Sequence, residues 1–407
     1  MGLQDTPRAN RPHIGLFGNR NAGKSSLLNA ITGQAKSLVS PVEGTTTDLV
    51  YQTFELERLG PVVFIDTAGL DDTGPLGTLR VEKTRQAVDT MDLAILVLTG
   101  PMKEELSWFQ WLQEKKVPIL PVLNQCDRME NVPAVQAYLS QQLGGLPVFP
   151  VSAKTGEQIP QLRQAIAQAL PDDFWELTIT GSLAQPGDLV LLVMPQDLQA
   201  PKGRLILPQV QTMRELLDKR CSVMSCTADC LEATLEALRI PPKLIITDSQ
   251  VFPSVWKAKP AESLLTSFSI LFARYKGELE TMIAGVAALN KIRTGDKILI
   301  CEGCTHHRQC GDIGTVKLPN WIRQFTKAEP EFTFTSGTEF PDDLTQYKLI
   351  IHCGGCMLNA KEMKYRIKCA CDQNVPVTNY GMTIAYIHGV LERSLKPFPQ
   401  AAALLHS

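Results

Sequence analysis

The sequence predicts an α/β protein with three domains, at residues 1–172, 180–262 and 263–407. A chain of 407 residues exceeds what one compact core usually holds, which favours two or three domains. Short apolar segments typical of buried strands alternate with amphipathic helical segments, and this order predicts parallel sheets. Pro171-Asp172-Asp173 marks the end of the first domain.

The composition is that of a globular protein, with 44% hydrophobic and 20% charged residues. The net charge of −2 favours neither a nucleic-acid nor a membrane partner. No apolar run approaches the ~20 residues that a membrane helix needs. The 11 cysteines come without a secretion signal, so we expect a reducing, cytoplasmic location in which clustered cysteines bind metal.

The first domain begins with a phosphate-binding pattern. An apolar strand at His13–Phe17 leads into the loop Gly18–Ser25, and a helix starts at Lys24. The glycines let backbone N–H groups turn toward phosphate oxygens, and the helix N-terminus adds positive charge. Lys24 is predicted to reach the β- and γ-phosphates, while Ser25 is predicted to ligate Mg²⁺. The predicted nucleotide contacts in this loop are Gly18, Asn21, Gly23, Lys24, Ser25 and Ser26.

Two further segments match the regions that sense the γ-phosphate in a GTPase. The first is Gly44-Thr45-Thr46-Thr47-Asp48, in which Thr45 and Thr46 offer hydroxyls to Mg²⁺ and the γ-phosphate. The second follows an apolar strand as Asp66-Thr67-Ala68-Gly69, where Asp66 holds Mg²⁺ through water and the Gly69 N–H meets the γ-phosphate. The predicted catalytic residues are Lys24, Thr46, Asp66 and Gly69.

The last two segments of the domain predict guanine recognition. Asn124-Gln125-Cys126-Asp127 is a variant of the Asn-Lys-x-Asp motif, and the Asp127 carboxylate can accept both guanine N–H donors. The segment Val151-Ser152-Ala153-Lys154 matches the loop whose backbone contacts the guanine oxygen. Five motifs in the required order predict a P-loop GTPase domain with GTP and Mg²⁺ as ligands. The predicted base contacts are Asn124, Asp127, Ser152, Ala153 and Lys154.

The middle domain reads as a small parallel sheet in the order β-α-β-α-β. Its predicted strands are Leu189–Met194, Cys221–Ser225 and Lys243–Thr247. It carries no nucleotide or metal pattern, so an interaction or dimerisation role follows by elimination.

The C-terminal domain is predicted to begin with a long helical stretch at Ser263–Ala288. Two later strands, Lys297–Ile300 and Lys348–Ile351, are each followed by cysteines. Ligands of open α/β sheets collect beyond the carboxyl ends of the strands. The sequence therefore predicts that three distant cysteines meet at one sheet edge, namely Cys304, Cys353 and Cys356.

Three cysteines with ambiguous histidines favour a 4Fe–4S cluster that has one exchangeable iron. His306 and His352 are the candidates for the fourth position, and Cys301 and Cys310 are further candidate ligands. The alternative is a structural zinc site, which usually has four clear protein ligands. A cluster used only for electron transfer is a third possibility, and it requires four firm ligands.

The GTPase motifs resemble the TrmE–Era–EngA branch of GTPases. Asn21 lies where potassium-activated members of that branch have an asparagine, which implies K⁺ as a cofactor. Leu70 follows the Asp-Thr-Ala-Gly segment where Ras-like proteins have a catalytic glutamine, which implies slow hydrolysis. Gln125 replaces the usual lysine, so guanine affinity or selectivity is expected to fall.

Taken together, Cys304-x-His306, His352-Cys353-x-x-Cys356 and the GTPase motifs resemble the HydF family of FeFe-hydrogenase maturation GTPases. Residues 200–210 are similar to the dimerisation domain of that family, which implies a homodimer. The resemblance implies a scaffold that receives a diiron precursor from radical-SAM hydrogenase maturases and delivers it to the FeFe-hydrogenase apoprotein. The alternative is a regulatory GTPase with a structural zinc domain.

Overall fold

The structure is a computed structural model that divides into two compact units, Asn10–Glu176 and Leu177–Ser407. No described helix is both long and apolar enough to cross a membrane. The residues that the structure describes are 11–33, 50–56, 60–67, 81, 84–85, 87–102, 104–170, 178–195, 205–303, 312–337, 339–355 and 358–405.

The first unit contains a six-stranded sheet in the order β2-β3-β1-β4-β5-β6. Strand β2 is antiparallel to β3, and the other neighbouring pairs are parallel. The strands are β1 His13–Phe17, β2 Val50–Leu56, β3 Gly60–Asp66, β4 Leu93–Leu98, β5 Ile119–Leu123 and β6 Phe149–Pro150.

Helices cover both faces of this sheet, which explains why its central strands β1 and β4 are buried along their whole length. Leu16 of β1 belongs to the core on the face of the first and fourth helices. Phe17 points to the opposite core, with the second and third helices. The helices are α1 Lys24–Thr32, α2 Glu105–Glu114, α3 Val132–Gln142 and α4 Ile159–Ala169.

The second unit begins with a four-stranded parallel sheet in the order β10-β9-β7-β8. Its strands are β7 Leu189–Val193, β8 Ser222–Cys226, β9 Leu244–Thr247 and β10 Leu264–Ser267. The connecting helices are α5 Leu207–Asp218, α6 Leu231–Glu236 and α7 Phe252–Ala258. The predicted β-α-β-α-β order is therefore present, with a fourth strand added at its end.

A third sheet, also parallel, has the order β12-β11-β13-β14. Its strands are β11 Lys297–Glu302, β12 Glu331–Ser336, β13 Leu349–His352 and β14 Val377–Asn379. One apolar core contains residues of both parallel sheets, among them Leu191 of β7 and Ile300 of β11. The helices are α8 Phe268–Lys276, α9 Leu279–Val286, α10 Leu318–Thr326, α11 Ala360–Asp372, α12 Tyr380–Ile387, α13 Leu391–Ser394 and α14 Pro399–Ala403.

The prediction of one helical stretch at Ser263–Ala288 is wrong. Strand β10 occupies its start, and the Ser267 side chain then caps α8 by accepting from the Ile270 N–H. Gly277 has an extended backbone that separates α8 from α9. Apolar periodicity does not distinguish a buried strand from a buried helix segment, which is the physical reason for the error.

The predicted α/β class is confirmed, and each of the three predicted regions contains a parallel or mixed sheet of its own. Strand β10 belongs to the middle sheet although it follows residue 262. The domain limits given above stay a prediction.

Candidate functional site

The loop between β1 and α1 is shaped around its own lysine. Gly18 and Gly23 have φ of 149° and 84°, which favours glycine at both positions. A Cβ placed on Gly18 would lie 2.5 Å from the Val97 carbonyl oxygen. The Lys24 side chain is buried, and its Nζ donates to the carbonyl oxygens of Gly18 at 2.7 Å and Asn19 at 3.1 Å. The predicted phosphate loop therefore keeps the ammonium group of Lys24 among its own carbonyl groups.

Asp66 lies at the carboxyl end of β3, beside the phosphate loop. Parallel pairing places Leu16 of β1 opposite Asp66, and the Thr67 hydroxyl donates to the Leu16 carbonyl oxygen. Burial raises the pKa of Asp66, while the charge of Lys24 acts in the opposite direction. The structure thus brings Asp66 and Lys24 together. Other predicted residues of the γ-phosphate region lie outside the described residues, namely Thr45, Thr46, Gly69 and Leu70.

Asn124 connects three of the predicted motifs. Its side chain is 1% exposed, and its Nδ2 donates to the Ala22 carbonyl oxygen at 2.9 Å. Its Oδ1 accepts from the Ala153 N–H at 3.1 Å. Asn124 therefore connects the phosphate loop and the loop after β6 to the end of β5.

Asp127 is held as a carboxylate by Ser152. The Ser152 hydroxyl is fully buried and donates to Asp127 Oδ1 at 2.7 Å, while the Thr155 N–H donates to the same hydroxyl at 3.2 Å. The hydrogen bond from Ser152 is the main cause of a lowered pKa at Asp127. An ionised carboxylate only accepts hydrogen bonds, which suits the paired N–H donors of guanine.

Gln125 retains one contact to the phosphate loop in place of the usual lysine. It has a left-handed backbone with φ of 63°, and its Nε2 donates to the Asn21 carbonyl oxygen at 3.0 Å. Arg128 donates to the Gln125 Oε1 at 3.4 Å. The amide therefore still connects the base site to the phosphate loop, but it brings no positive charge.

The cysteine edge lies beyond β11 and β13, which are neighbouring parallel strands. The Cys353 N–H donates to the Cys301 carbonyl oxygen at 2.8 Å. The Cys353 sulfur accepts from the N–H groups of Gly303 at 3.0 Å and Gly355 at 3.4 Å. Backbone donors directed at one sulfur stabilise its thiolate, so Cys353 fits a metal or cluster ligand.

Three other predicted ligand positions cannot be placed. Cys304, His306 and Cys356 lie outside the described residues, as does Cys310. Among the residues that the structure does describe, no group of three metal-binding side chains occurs. Cys301 is described and fully buried, and burial raises the pKa of its thiol to about 11. A thiol in that environment is disfavoured as a thiolate ligand.

Both ring nitrogens of His352 are engaged within the protein. The ring is 1% exposed, and Nε2 lies 3.1 Å from Arg366 Nη1, which can only donate. Nδ1 is therefore the protonated nitrogen, and it lies 3.1 Å from the Cys353 carbonyl oxygen. Burial, with the charge of Arg366, lowers the pKa of His352 to about 3. A metal bond from His352 would require breaking one of these contacts.

Arg366 is itself fixed by further partners. The side chain is 3% exposed and its Nη2 donates to Glu362 Oε1 at 2.6 Å and to the Gly337 carbonyl oxygen at 2.9 Å. A chain of contacts thus leads from α11 through His352 to the backbone of Cys353. The histidine is recognisable from its position beside Cys353, whereas no sequence pattern indicates its arginine partner.

Two other buried side chains at this edge, those of Glu302 and Lys276, were not predicted from the sequence. Glu302, the last residue of β11, is 7% exposed and accepts from the Tyr380 hydroxyl at 3.5 Å. Burial is the main cause that raises the pKa of Tyr380 well above its usual range. Lys276, at the end of α8, is 1% exposed and donates to the loop that carries the cysteines. Both have polar side chains, which normally suggests the surface rather than a site.

The fold and motifs of the first unit define a P-loop GTPase domain. Residues 13–125 match the sequence model of a family described as the 50S ribosome-binding GTPase. Residues 179–277 match the hydrogen maturase F dimerization domain, and residues 280–397 match the hydrogen maturase F tetramerization domain. The last two matches span more than half of the chain. The chain therefore belongs to the hydrogen maturase F family, HydF, and the predicted resemblance is confirmed.

Curated relatives match the chain over different shares of their own length. A tRNA modification GTPase MnmE of Roseiflexus castenholzii is 34% identical over 171 residues, covering 39% of this chain and 36% of the relative. The MnmE of Nitrosomonas eutropha is 30% identical over 243 residues, which cover 59% of this chain and 48% of the relative. The chain thus spans less than half the length of these curated relatives. An uncharacterized protein of Methanocaldococcus jannaschii is 33% identical over 178 residues, covering 39% of this chain and 95% of that protein.

Solved structures match over almost their whole length, at low sequence identity. The G domain of the T. maritima FeoB iron transporter is 24% identical and gives a TM-score of 0.32. The match covers 39% of this chain and 98% of the solved chain. Aquifex aeolicus Era bound to GDP·AlF4⁻ is 17% identical and gives a TM-score of 0.35. The match covers 62% of this chain and 99% of the solved chain.

Proposed function

We propose that the chain is a GTP hydrolase and a 4Fe–4S scaffold that assembles and delivers the diiron precursor of the FeFe-hydrogenase active site. Membership of HydF supports the maturation role. The cluster proposal depends on one observation: the Cys353 sulfur accepts hydrogen bonds from two backbone N–H groups. This sulfur lies at the cysteine edge, beyond β11 and β13. A neutral, buried structural cysteine would not need this donor set.

The nucleotide reaction is proposed to be attack of water on the γ-phosphate of GTP. Lys24 stabilises negative charge on the phosphates, and Thr46 and the Gly69 N–H are assigned to the γ-phosphate. Ser25 and Asp66 would hold Mg²⁺, which supplies further positive charge at the phosphates. Asn21 would contribute to a K⁺ site. Leu70 supplies no polar group to orient water, so intrinsic hydrolysis is expected to be slow.

Base selection is assigned to Asp127, which Ser152 holds in its ionised form. Asn124 and the Ala153 N–H keep this carboxylate in register with the phosphate loop. Lys154 completes the predicted base loop. Gln125 keeps the loop contact without the charge, which favours weaker GTP binding than a lysine would give.

The cluster is assigned to Cys304, Cys353 and Cys356, with one iron left exchangeable. A bound 4Fe–4S cluster would supply an iron that can accept a small ligand or a second metal unit. His306 stays a candidate for the fourth position. Because both ring nitrogens of His352 are engaged, we assign that residue to positioning the backbone of Cys353.

The proposed partners follow from the family. Radical-SAM hydrogenase maturases would supply the diiron precursor, and the FeFe-hydrogenase apoprotein would receive it in the cytoplasm. The chain carries domains of the dimerization and tetramerization type, and a homodimer is the proposed basic assembly. Incubating the loaded chain with hydrogenase apoprotein tests this role directly, because delivery restores hydrogen evolution whereas a purely regulatory GTPase leaves the apoprotein inactive.

A further inference from the structure

A buried lysine contacts the backbone of the cysteine loop. Lys276 is the last residue of α8 and only 1% exposed. Its Nζ donates to the carbonyl oxygen of Gly355 at 3.1 Å and to that of Leu358 at 3.0 Å. These two residues flank Cys356 in the sequence, and Gly355 also donates its N–H to the Cys353 sulfur. One side chain therefore holds the loop on both sides of a predicted ligand.

This burial needs a physical reason. Lysine is almost never fully buried unless its charge is compensated, because removal of an ammonium group from water is costly. The side chain has three donors and no acceptor, so it can hold several carbonyl groups at once. The Phe272 ring lies 5.8 Å from Nζ and adds a cation–π contact.

The loop itself needs to be held in place. Gly355 has φ of 59°, in the left-handed region, and a Cβ placed on it would lie 2.2 Å from Met363 Cε. Such a turn presents its carbonyl groups on one side and its N–H groups on the other. Here the carbonyl side faces Lys276, and the Gly355 N–H faces the Cys353 sulfur. The lysine thus supports the orientation in which the backbone donors reach the sulfur.

We propose that Lys276 is a positioning residue for the iron–sulfur cluster, and that its positive charge offsets the negative charge of a cluster bound to thiolates. The inference rests on the proposed cluster function and adds to it a residue from outside the cysteine motif. Lys276 lies in the segment that matches the dimerization domain, whereas Gly355 and Leu358 lie in the segment that matches the tetramerization domain. The dimerization segment would therefore contribute directly to cluster retention.

The experiment compares Lys276→Met with Lys276→Arg after anaerobic cluster reconstitution of the full chain. The readouts are the rate of iron loss to a chelator and the midpoint potential of the cluster. Loss of a partner that supports metal ligands typically weakens metal retention about 10- to 100-fold, and we expect K276M to lose iron faster by roughly this factor. Its midpoint potential should shift to a more negative value, because a nearby positive charge favours the reduced cluster. K276R should restore the potential and most of the retention.

Lys259→Met is the matched control. Lys259 Nζ also donates to loop carbonyl groups, but they are those of Pro260 at 2.7 Å and Ser263 at 2.8 Å, next to it in sequence, and not those of the cysteine loop. K259M should retain iron like the wild type. Far-UV circular dichroism of the apoprotein shows whether K276M folds. If it does not, iron retention is compared between K276R and Lys276→Gln, and retention by the arginine variant alone supports the proposal.

The proposed role of Lys276 is wrong if the rate of iron loss and the midpoint potential of K276M equal those of the wild type. When K276M is unfolded, the same comparison is made with K276Q. Either result leaves the cluster proposal intact. A wild-type chain that binds no iron and sulfide instead defeats the proposed function itself.

Discussion

In the proposed base site, the exposed carboxylate of Asp127 selects the nucleotide, and a hydrogen bond from Ser152 favours its ionised form. In Asp127→Asn, one acceptor becomes an N–H₂ donor, which clashes with the guanine donors but matches the 2-oxo group of xanthine. We expect GTP affinity to fall roughly 10- to 100-fold and XTP affinity to rise, as for loss of a bidentate base contact. Fluorescence titration with labelled nucleotides measures both.

Asp229→Asn provides the control for this prediction. Asp229 is another exposed carboxylate with a lowered pKa, caused mainly by a hydrogen bond from Thr227, and it lies in the other unit. Its variant should bind GTP like the wild type. Unchanged GTP binding in D127N would show that Asp127 does not read the base.

The two hydrogen bonds of the His352 ring give a separate prediction. The amide of His352→Gln can accept from Arg366 and still donate to the Cys353 carbonyl oxygen, so cluster content should be retained. His352→Leu leaves the buried Arg366 donor without its acceptor, which we expect to cost about 1–3 kcal/mol in unfolding free energy. Iron analysis and urea unfolding of the two variants check this. Equal loss of cluster from both variants, together with a histidine nitrogen coupling in the pulsed EPR spectrum of the wild-type cluster, would instead identify the ring as a ligand.

The loop from β1 to α1 shows how an element depends on its glycines. In Gly23→Ala, the new Cβ would lie 2.6 Å from Asn124 Nδ2, on a backbone with φ of 84°. The left-handed backbone alone costs roughly 1–2 kcal/mol for a residue with a Cβ. Displacement of Asn124 should add loss of nucleotide binding, because Asn124 connects the phosphate loop to the base loop.

Gly144→Ala isolates the backbone cost. Gly144 has φ of 68° and nothing within 4 Å of a Cβ, so this variant should lose stability while it keeps GTP affinity. Thermal unfolding and nucleotide titration of both variants distinguish the two effects. GTP affinity that falls equally in both would contradict the assigned role of Asn124.

Sequence patterns predicted the elements whose signal is local and missed those whose signal is not. The phosphate loop follows from adjacent residues, since strand, glycines and helix start are contiguous. Strand β10 looked like the start of a helix because a short apolar run fits both structures. The contact of Lys276 with Gly355 joins residues far apart in sequence, and only the packing of α8 against the cysteine edge reveals it.

At the scale of the whole molecule, the GTPase domain and the cysteine edge lie in different compact units. If the γ-phosphate state regulates delivery, partner affinity or the cluster spectrum must differ between GDP and a non-hydrolysable GTP analogue. We expect such a difference in the wild type and its absence in Lys24→Ala, which lacks the cation that we assign to the phosphates. Binding assays with the hydrogenase apoprotein and EPR of the loaded chain measure the two quantities. Identical values in both nucleotide states would show that the units act independently.

Metal and sulfide analysis of anaerobically prepared protein decides whether this GTPase carries the proposed iron–sulfur cluster. The wild type and Cys371→Ala, which changes an exposed cysteine on α11, should each contain the iron and acid-labile sulfide of one 4Fe–4S cluster per chain. Cys353→Ala should lose both. Bound zinc without sulfide in the wild type would rule out the cluster, and a full cluster in C353A would rule out Cys353 as its ligand.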